Sequence, residues 1–209
     1  MDNNYIFQYW EAIQDGTVTV GKWIKTIYEI LVNGLKSGKW DFDEEKANKA
    51  INFIENFCHH SEGRNDLLKL ELWQKAIVSA IFGIMDKRTG YRQFREVFIV
   101  VARKNGKTLF AAAIAAYMAY IDGEYGAKVY FLAPKLDQAD LVYDAFYQIV
   151  QADDELDSIT KKRRSDIYIK EFNTSVKKIA FNSKKSDGFN PQMVVNDEVE
   201  ALSLIHISE

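Results

Sequence analysis

Apolar residues recur at helical spacing in two segments near the start of the chain, residues 23–35 and 47–57. Positions three or four residues apart share one face of a helix, so both segments are predicted to be helices with packing faces. Asp43 is placed to cap the second of them. Residues 1–69 are therefore predicted to form a helical N-terminal region. The apolar positions are Trp23, Ile24, Ile27, Ile30, Leu31 and Leu35, then Ala47, Ala50, Ile51, Ile54 and Phe57.

After residue 69, helical and β-type patterns alternate. A helix is predicted to begin at Leu70, and the apolar, β-branched run Phe98–Val101 predicts a strand. The alternation indicates an α/β fold in which helices flank a parallel sheet. Ligands of such sheets bind at the carboxyl ends of the strands. The later predicted elements are a helix at 109–117, a strand at 127–133, a helix at 134–146, and strands at 166–171, 176–181 and 193–196.

A short polar loop, Arg103-Lys-Asn-Gly-Lys-Thr108, joins the first predicted strand to the alanine-rich helix. Strand, glycine-containing loop and helix N-terminus together offer several N–H donors to a phosphate group. Lys107 would contact the β- and γ-phosphates of a nucleotide, and the Thr108 hydroxyl would bind Mg²⁺. The general phosphate-loop pattern has glycine where this chain has Val101. The prediction of a phosphate loop therefore rests on the tripeptide Gly-Lys-Thr and on its position between a predicted strand and a predicted helix.

A second candidate motif is the apolar strand that ends in Asp197 and Glu198. Asp197 would bind Mg²⁺ and Glu198 would orient or deprotonate the attacking water. A strand that simply runs into an acidic loop is the alternative, and the polar residue Asn196 favours that alternative. Because Lys107 lies upstream at a plausible spacing, we favour the catalytic interpretation. Three strand ends, before Gly106, Pro134 and Asp197, then converge on one edge of the sheet.

Composition narrows the class of protein. The chain has 209 residues, 47% of them hydrophobic, and a formal charge of −3, so any contact with DNA must be a local basic patch. The single cysteine, Cys58, argues against a disulfide framework and fits a reducing cytoplasm. No stretch has the length of a membrane span and no signal peptide is evident. His59 and His60 follow Cys58, but neighbouring helical residues diverge, so no metal site is predicted there.

The segment Asp153–Arg164 changes from acidic to basic. We interpret it as a solvated connection between a helix and a strand. The alternative is that Lys161 to Arg164 contact DNA phosphates or the nucleotide of a neighbouring subunit.

Five motifs, in this order and spacing, resemble the ATPase domain of tailed-phage large terminase subunits. The resemblance covers most of residues 1–201, and it implies a P-loop NTPase fold of the RecA-like (ASCE) type. The motifs are Leu72-Trp-Gln74, Val101-Ala-Arg-Lys-Asn-Gly-Lys-Thr108, Leu132-Ala-Pro134 with Gln138, Asp187-Gly-Phe-Asn-Pro191 and Val194-Val-Asn-Asp-Glu198.

The resemblance also implies a site that binds ATP and Mg²⁺. Gln74 would read the adenine edge through its amide, and the loop residues from Arg103 to Thr108 would hold the nucleotide. Arg103 would lie near the γ-phosphate and act with Lys107 and Glu198 in catalysis. Thr108 and Asp197 would bind the metal. The nucleotide-binding set is Gln74, Arg103, Lys104, Asn105, Gly106, Lys107 and Thr108.

Members of that family package double-stranded DNA into procapsids, so the resemblance implies a packaging motor. The expected partners are DNA, the portal protein, the small terminase subunit and further copies of the chain in a ring. The expected location is the host cytoplasm, on the procapsid portal. The alternatives are a helicase-like DNA translocase and a non-catalytic nucleotide-binding assembly module.

The predicted domains are the helical region 1–69, an incomplete ATPase domain 70–201 that lacks the nuclease, and a separate segment 202–209. The last segment, Leu202-Ser-Leu-Ile-His-Ile-Ser-Glu209, resembles a translated sequencing adapter and is predicted to be non-native.

Overall fold

A computed structural model describes residues 4–60, 63–102, 104–133, 135–180 and 191–196. The chain divides into two compact units. The first contains residues 1–56 and 69–100, and the second contains residues 57–68 and 101–209. No helix in the described ranges is both long enough and apolar enough to cross a membrane.

The first unit is built from helices and one two-stranded sheet. The helix α1 begins after Asn4, whose side chain accepts a hydrogen bond from the Ile6 N–H at 3.0 Å. The strands β1 and β2 pair antiparallel. The elements are α1 (Tyr5–Gln14), α2 (Lys22–Lys36), β1 (Trp40–Phe42), α3 (Glu44–Phe57), α4 (Leu72–Gly83) and β2 (Ile84–Asp86).

The helices of the N-terminal region confirm the helical pattern, with one correction at α2. Its buried residues include Tyr28, Leu31 and Val32, which pack in the core cluster with α1. Trp23 and Ile30, which were predicted to lie on the packing face, are instead 74% and 54% exposed. The apolar arc of α2 is wider than the side that the rest of this unit covers, so helical spacing overestimated the burial.

The second unit contains a five-stranded sheet with strand order β4-β5-β6-β3-β7. The helices α5 and α6 pack against each other and against this sheet. The aromatic ring of Phe131 in β3 lies 5.9 Å from that of Phe146 in α6. The elements are α5 (Lys107–Tyr120), β3 (Lys128–Ala133), α6 (Leu136–Ala152), α7 (Asp154–Ile159), β4 (Thr160–Lys162), β5 (Ile167–Ile169), β6 (Thr174–Ala180) and β7 (Met193–Asn196).

The α/β class is confirmed, and the sheet is mixed rather than entirely parallel. The strand β3 pairs parallel with β6 and β7, as predicted from the alternation of strands and helices. The strands β4 and β5 extend this parallel centre as an antiparallel hairpin. A tight turn between Lys162 and Ile167 replaces the helical crossover that a parallel pair needs.

One local prediction is wrong and a second is incomplete. Residues 98–101 form no strand, and Phe98 and Val100 are 76% and 78% exposed. An apolar run becomes a strand only where a neighbour pairs with its backbone, and none of the described strands does so here. The segment Asp153–Arg164 is not a plain connection, because it contains the helix α7, capped by Asp153, and the strand β4.

Candidate nucleotide-binding site

The loop before α5 has the backbone geometry of an anion site. Gly106 is the N-cap of α5 and adopts a left-handed conformation, with φ of 69° and ψ of 20°. Its carbonyl oxygen accepts the hydrogen bond of the Phe110 N–H at 2.9 Å, which starts the helix. Lys104 also has a positive φ, 67°. A residue with a Cβ pays about 1–2 kcal/mol for this conformation, so the loop holds it there against an intrinsic preference.

Left-handed residues alternating with right-handed ones turn successive N–H groups toward one concave side, the arrangement called a nest. Lys104 and Gly106 are the left-handed pair, and Asn105 separates them. The Asn105 side-chain amide donates to the Ala102 carbonyl oxygen at 3.1 Å, which closes the turn. A Cβ built on Gly106 meets no atom within 4 Å. The space beside the Cα of Gly106 is therefore open.

The two predicted ligand side chains lie in the first turn of α5. Lys107 is the first helical residue and is exposed, and Thr108 follows it and is half-buried. The first N–H groups of a helix have no partner within the helix, and the helix dipole adds positive potential there. The N–H groups and the Lys107 ammonium are suited to bind a nucleotide phosphate, and the Thr108 hydroxyl oxygen is suited to coordinate Mg²⁺. Arg103 lies outside the described residues.

The hydrogen bonds of Gln192 show how α5 runs along the sheet. Gln192 directly precedes β7, and its side-chain Nε2 donates to the carbonyl oxygen of Asp122, just beyond the end of α5, at 3.0 Å. Its Oε1 accepts from the Glu124 N–H at 3.3 Å. The end of α5 thus lies beside the beginning of β7. Since α5 also contacts β3 and β7, it runs antiparallel to both strands, and its N-terminus is directed toward their carboxyl ends.

The strand β7 ends at that same edge of the sheet, directly before the acidic motif in the sequence. Its last residue, Asn196, is paired in register with Leu132 of β3. Asp197 and Glu198 follow Asn196 in the sequence and lie outside the described residues, so their roles remain predictions. The strand itself is less buried than predicted: Val194 is 41% exposed, because β7 is an edge strand.

Gln74 lies in the first unit, where it caps a helix. Its side-chain Oε1 accepts from the Glu71 N–H at 2.9 Å, and the Glu71 side chain accepts in turn from the Gln74 N–H. This capping box satisfies two N–H groups at the start of α4. The pattern of a polar residue followed three positions later by glutamine could have indicated this role. Recognition of adenine by Gln74 remains a prediction.

The segment Cys58 to His60 contains a buried thiol. Cys58 is fully buried, and burial raises the pKa of its thiol above the usual value, with a smaller contribution from the negative charge of Asp153. A raised pKa disfavours the thiolate that a metal would need. Across the part of the chain that the structure describes, no group of three or more His, Cys, Asp or Glu side chains is arranged to hold a metal ion.

Sequence analysis missed an ion pair in the β4–β5 hairpin. Asp166 is 3% exposed and accepts two hydrogen bonds from Arg163, Nε to Oδ1 at 2.6 Å and NH2 to Oδ2 at 2.5 Å. These bonds and the nearby negative charge raise the pKa of the Arg163 guanidinium. Only a charge pair three residues apart could have indicated this turn. The Arg163 side chain thus pairs with a residue of its own hairpin. A contact of Lys161 to Arg164 with DNA or with the nucleotide of a neighbouring subunit remains a prediction.

The chain is similar to one known protein family and to a solved structure. The family described as the ATPase domain of the terminase large subunit matches residues 72–205. The crystal structure of the HK97 bacteriophage large terminase has a similar fold, with a TM-score of 0.64 and 23% sequence identity. That similarity covers 75% of this chain and 32% of the HK97 chain, so this chain spans about a third of its length. Among curated proteins, none matches the sequence. The chain belongs to the terminase large-subunit family and carries its ATPase domain.

Proposed function

We propose that this chain is the ATPase motor of a phage packaging terminase, which uses ATP hydrolysis to move double-stranded DNA into procapsids. The observation that carries the proposal is the direction of α5. Because Gln192 joins the start of β7 to the end of α5, the loop at Gly106 lies toward the strand ends from which Asn196 leads into the two carboxylates. A phosphate loop and an acidic strand end on one edge are what phosphoryl transfer to water requires.

The residues of the loop would divide the work of binding. The N–H groups at Gly106 and the first turn of α5 would receive the phosphates, and the Lys107 ammonium would neutralise the charge of the β- and γ-phosphates. Lys104, Asn105 and Arg103 would complete the loop around the nucleotide. Gln74 would contact adenine. These contacts orient the γ-phosphate, and orientation with electrostatic stabilisation supplies most of the catalysis in this class of reaction.

The remaining roles belong to the acidic motif and the metal. Mg²⁺ would bind the Thr108 hydroxyl and the Asp197 carboxylate, and it supplies charge neutralisation when bound. Glu198 would accept a proton from the attacking water or orient that water. The partners proposed for the complete protein are DNA, the portal protein, the small terminase subunit and further copies in a ring.

The test is packaging by the complete protein with Glu198→Gln. The variant removes the base and keeps the size of the side chain, so it should bind ATP normally and lose both hydrolysis and nuclease-protected DNA in procapsids. Unchanged hydrolysis would remove Glu198 from the mechanism. If the wild-type protein binds ATP and shows no turnover, a nucleotide-binding assembly module is the better description. Turnover with unwinding of DNA and no packaging would favour a helicase-like translocase.

A further inference from the structure

The two faces of the five-stranded sheet have different chemical character. Residues of a strand alternate between the faces, and contacts identify which residues face the helices. Phe131 of β3 packs against Tyr143 and Phe146 of α6, and Lys178 of β6 forms an ion pair with Asp140 of α6. Residues one position away on the same strands therefore lie on the opposite face.

That opposite face carries a row of basic and aromatic side chains. The strand register aligns Lys161 with Tyr168, Tyr168 with Ser175, and Ser175 with Lys128, so one row crosses β4, β5, β6 and β3. Lys177 follows Ser175 by two positions and lies on the same face. Lys128 and Lys161 are exposed, and Tyr168 and Lys177 are half-buried. We call this set, Lys128, Lys161, Tyr168 and Lys177, the basic face.

The basic face has no compensating acid among the described strand residues. The positions on this side of β3 to β7 hold Lys, Tyr, Leu, Ser, Ile, Val or Asn. The nearest carboxylate in the hairpin, Asp166, is already paired with Arg163. On the helix side, Lys178 is paired with Asp140, and Lys162 lies 4.0 Å from the centre of the Tyr147 ring. Among the described strand residues, the lysines of the basic face thus have no carboxylate partner, whereas Lys178 has one.

The hairpin that carries Lys161 is held in a defined conformation. The Arg163 N–H donates to the Asp166 carbonyl oxygen at 2.8 Å, and the Arg163 guanidinium stacks 4.1 Å from the centre of the Tyr168 ring. The Tyr168 hydroxyl donates to the Asn173 side-chain oxygen at 2.9 Å. A fixed hairpin loses little conformational entropy when a partner binds. Lys161 thus lies on a hairpin whose turn is held by several contacts.

We propose that the basic face contacts the phosphate backbone of double-stranded DNA without reading its sequence. Lys161 and Lys128 are three strand spacings apart, on the order of 14 Å. The major groove of DNA is about 12 Å wide, so the two lysines reach phosphates on both of its sides. Lysine contacts to phosphate give binding without base recognition, which suits a protein that must act on any stretch of a genome. The inference rests on the proposed packaging function, and it locates the DNA contact within this unit.

The test measures binding of a fluorescent DNA duplex to the chain at several salt concentrations. Each phosphate contact contributes about 0.9 to the slope of log K against log salt. The double variant Lys128→Ala, Lys161→Ala, at two exposed positions, should therefore reduce the slope by about 2. Lys161→Ala alone, at an exposed position, should reduce it by about 1, which covers the case of a double variant that does not fold. The control Lys25→Ala, Lys49→Ala removes the same charge from exposed sites on α2 and α3.

The outcomes separate this inference from the packaging proposal. A reduced slope for the basic-face variants and an unchanged slope for the control supports the assignment. Equal slopes for both variants and the wild type, with DNA still bound, overturn the basic face and leave the packaging function standing. No binding of DNA by the wild-type chain at low salt overturns the basic face and counts against a DNA-packaging role. Nucleotide binding, measured separately, would be unaffected in either case.

Discussion

The side-chain amide of Gln192 joins the beginning of β7 to the end of α5, since it donates to the Asp122 carbonyl oxygen at 3.0 Å and accepts from the Glu124 N–H at 3.3 Å. The Gln192 backbone N–H donates to the carbonyl oxygen of Lys128, the first residue of β3, at 2.9 Å. One residue thus fixes the ends of a helix and two strands. This contact sets the direction of α5 and hence the position of its N-terminal loop.

Gln192→Ala should lower the free energy of unfolding by about 1–2 kcal/mol, because two hydrogen bonds are lost. The control is Gln151→Ala, at an exposed glutamine in α6, which should change stability by less than about 0.5 kcal/mol. Urea unfolding measures both. Equal stabilities of the two variants would show that the link contributes nothing.

Gly106→Ala should destabilise the chain although a Cβ meets no atom within 4 Å. The cost is about 1–2 kcal/mol, since alanine resists the left-handed conformation. Gly21 is a matched control: it is also an N-cap without a side-chain bond, has equally open surroundings, and has φ of −70°. Both substitutions replace a glycine at an N-cap, so the effect of the N-cap position on stability is the same in the two variants. Equal losses in Gly106→Ala and Gly21→Ala would contradict the left-handed geometry of the loop.

The pair Arg163–Asp166 should respond unequally to removal of each partner. Asp166 is 3% exposed, whereas the Arg163 side chain is 43% exposed. Arg163→Ala leaves a buried carboxylate without its partner and should cost about 2–3 kcal/mol. Asp166→Asn leaves an arginine that water can solvate, and should cost about 1 kcal/mol. Denaturant unfolding of both variants tests the order, and a larger loss for Asp166→Asn would show that Asp166 is not the buried member.

Stability should depend on alkaline pH through Tyr143. Burial raises the pKa of Tyr143 to about 12 from the ordinary value of 10.0, and nearby Asp166 contributes in the same direction. A raised pKa in the folded state favours the neutral phenol, so its contribution is complete below pH 10 and is lost as the pH rises toward 12. Relative to Tyr143→Phe, the wild type should lose about 2 kcal/mol across that interval. A constant difference between pH 9 and 12 would contradict the shift.

Local patterns predicted most of the elements around the candidate nucleotide site. The sequence Gly106-Lys-Thr followed by alanines predicted a helix at 109–117, and α5 is a little longer at both ends, Lys107–Tyr120. The strands β3 and β7 followed from apolar runs bounded by turns. Helical spacing likewise identified α2 and α3.

Features that depend on distant partners were not predicted. The run at Phe98 has the composition of a strand, but a strand forms only where a neighbouring backbone pairs with it. None of the described strands pairs with this run. The hairpin at Arg163 depends on a buried carboxylate that resembles an ordinary surface charge. Lys104 adopts a positive φ although its residue type gives no indication of it. The exposure of Trp23 is decided by which side of α2 its neighbours cover.

Lys107 and its loop are proposed to bind the phosphates of ATP. The most direct measurement is urea unfolding of the wild type, Lys107→Ala and Lys25→Ala, each with and without Mg·ATP. At a ligand concentration of about a hundred times the dissociation constant, the wild type and Lys25→Ala should gain about 2.7 kcal/mol. The free energy of unfolding of Lys107→Ala should change little when Mg·ATP is added at the same concentration. Equal stabilisation of Lys107→Ala and the wild type would contradict the assignment of this loop as the nucleotide site.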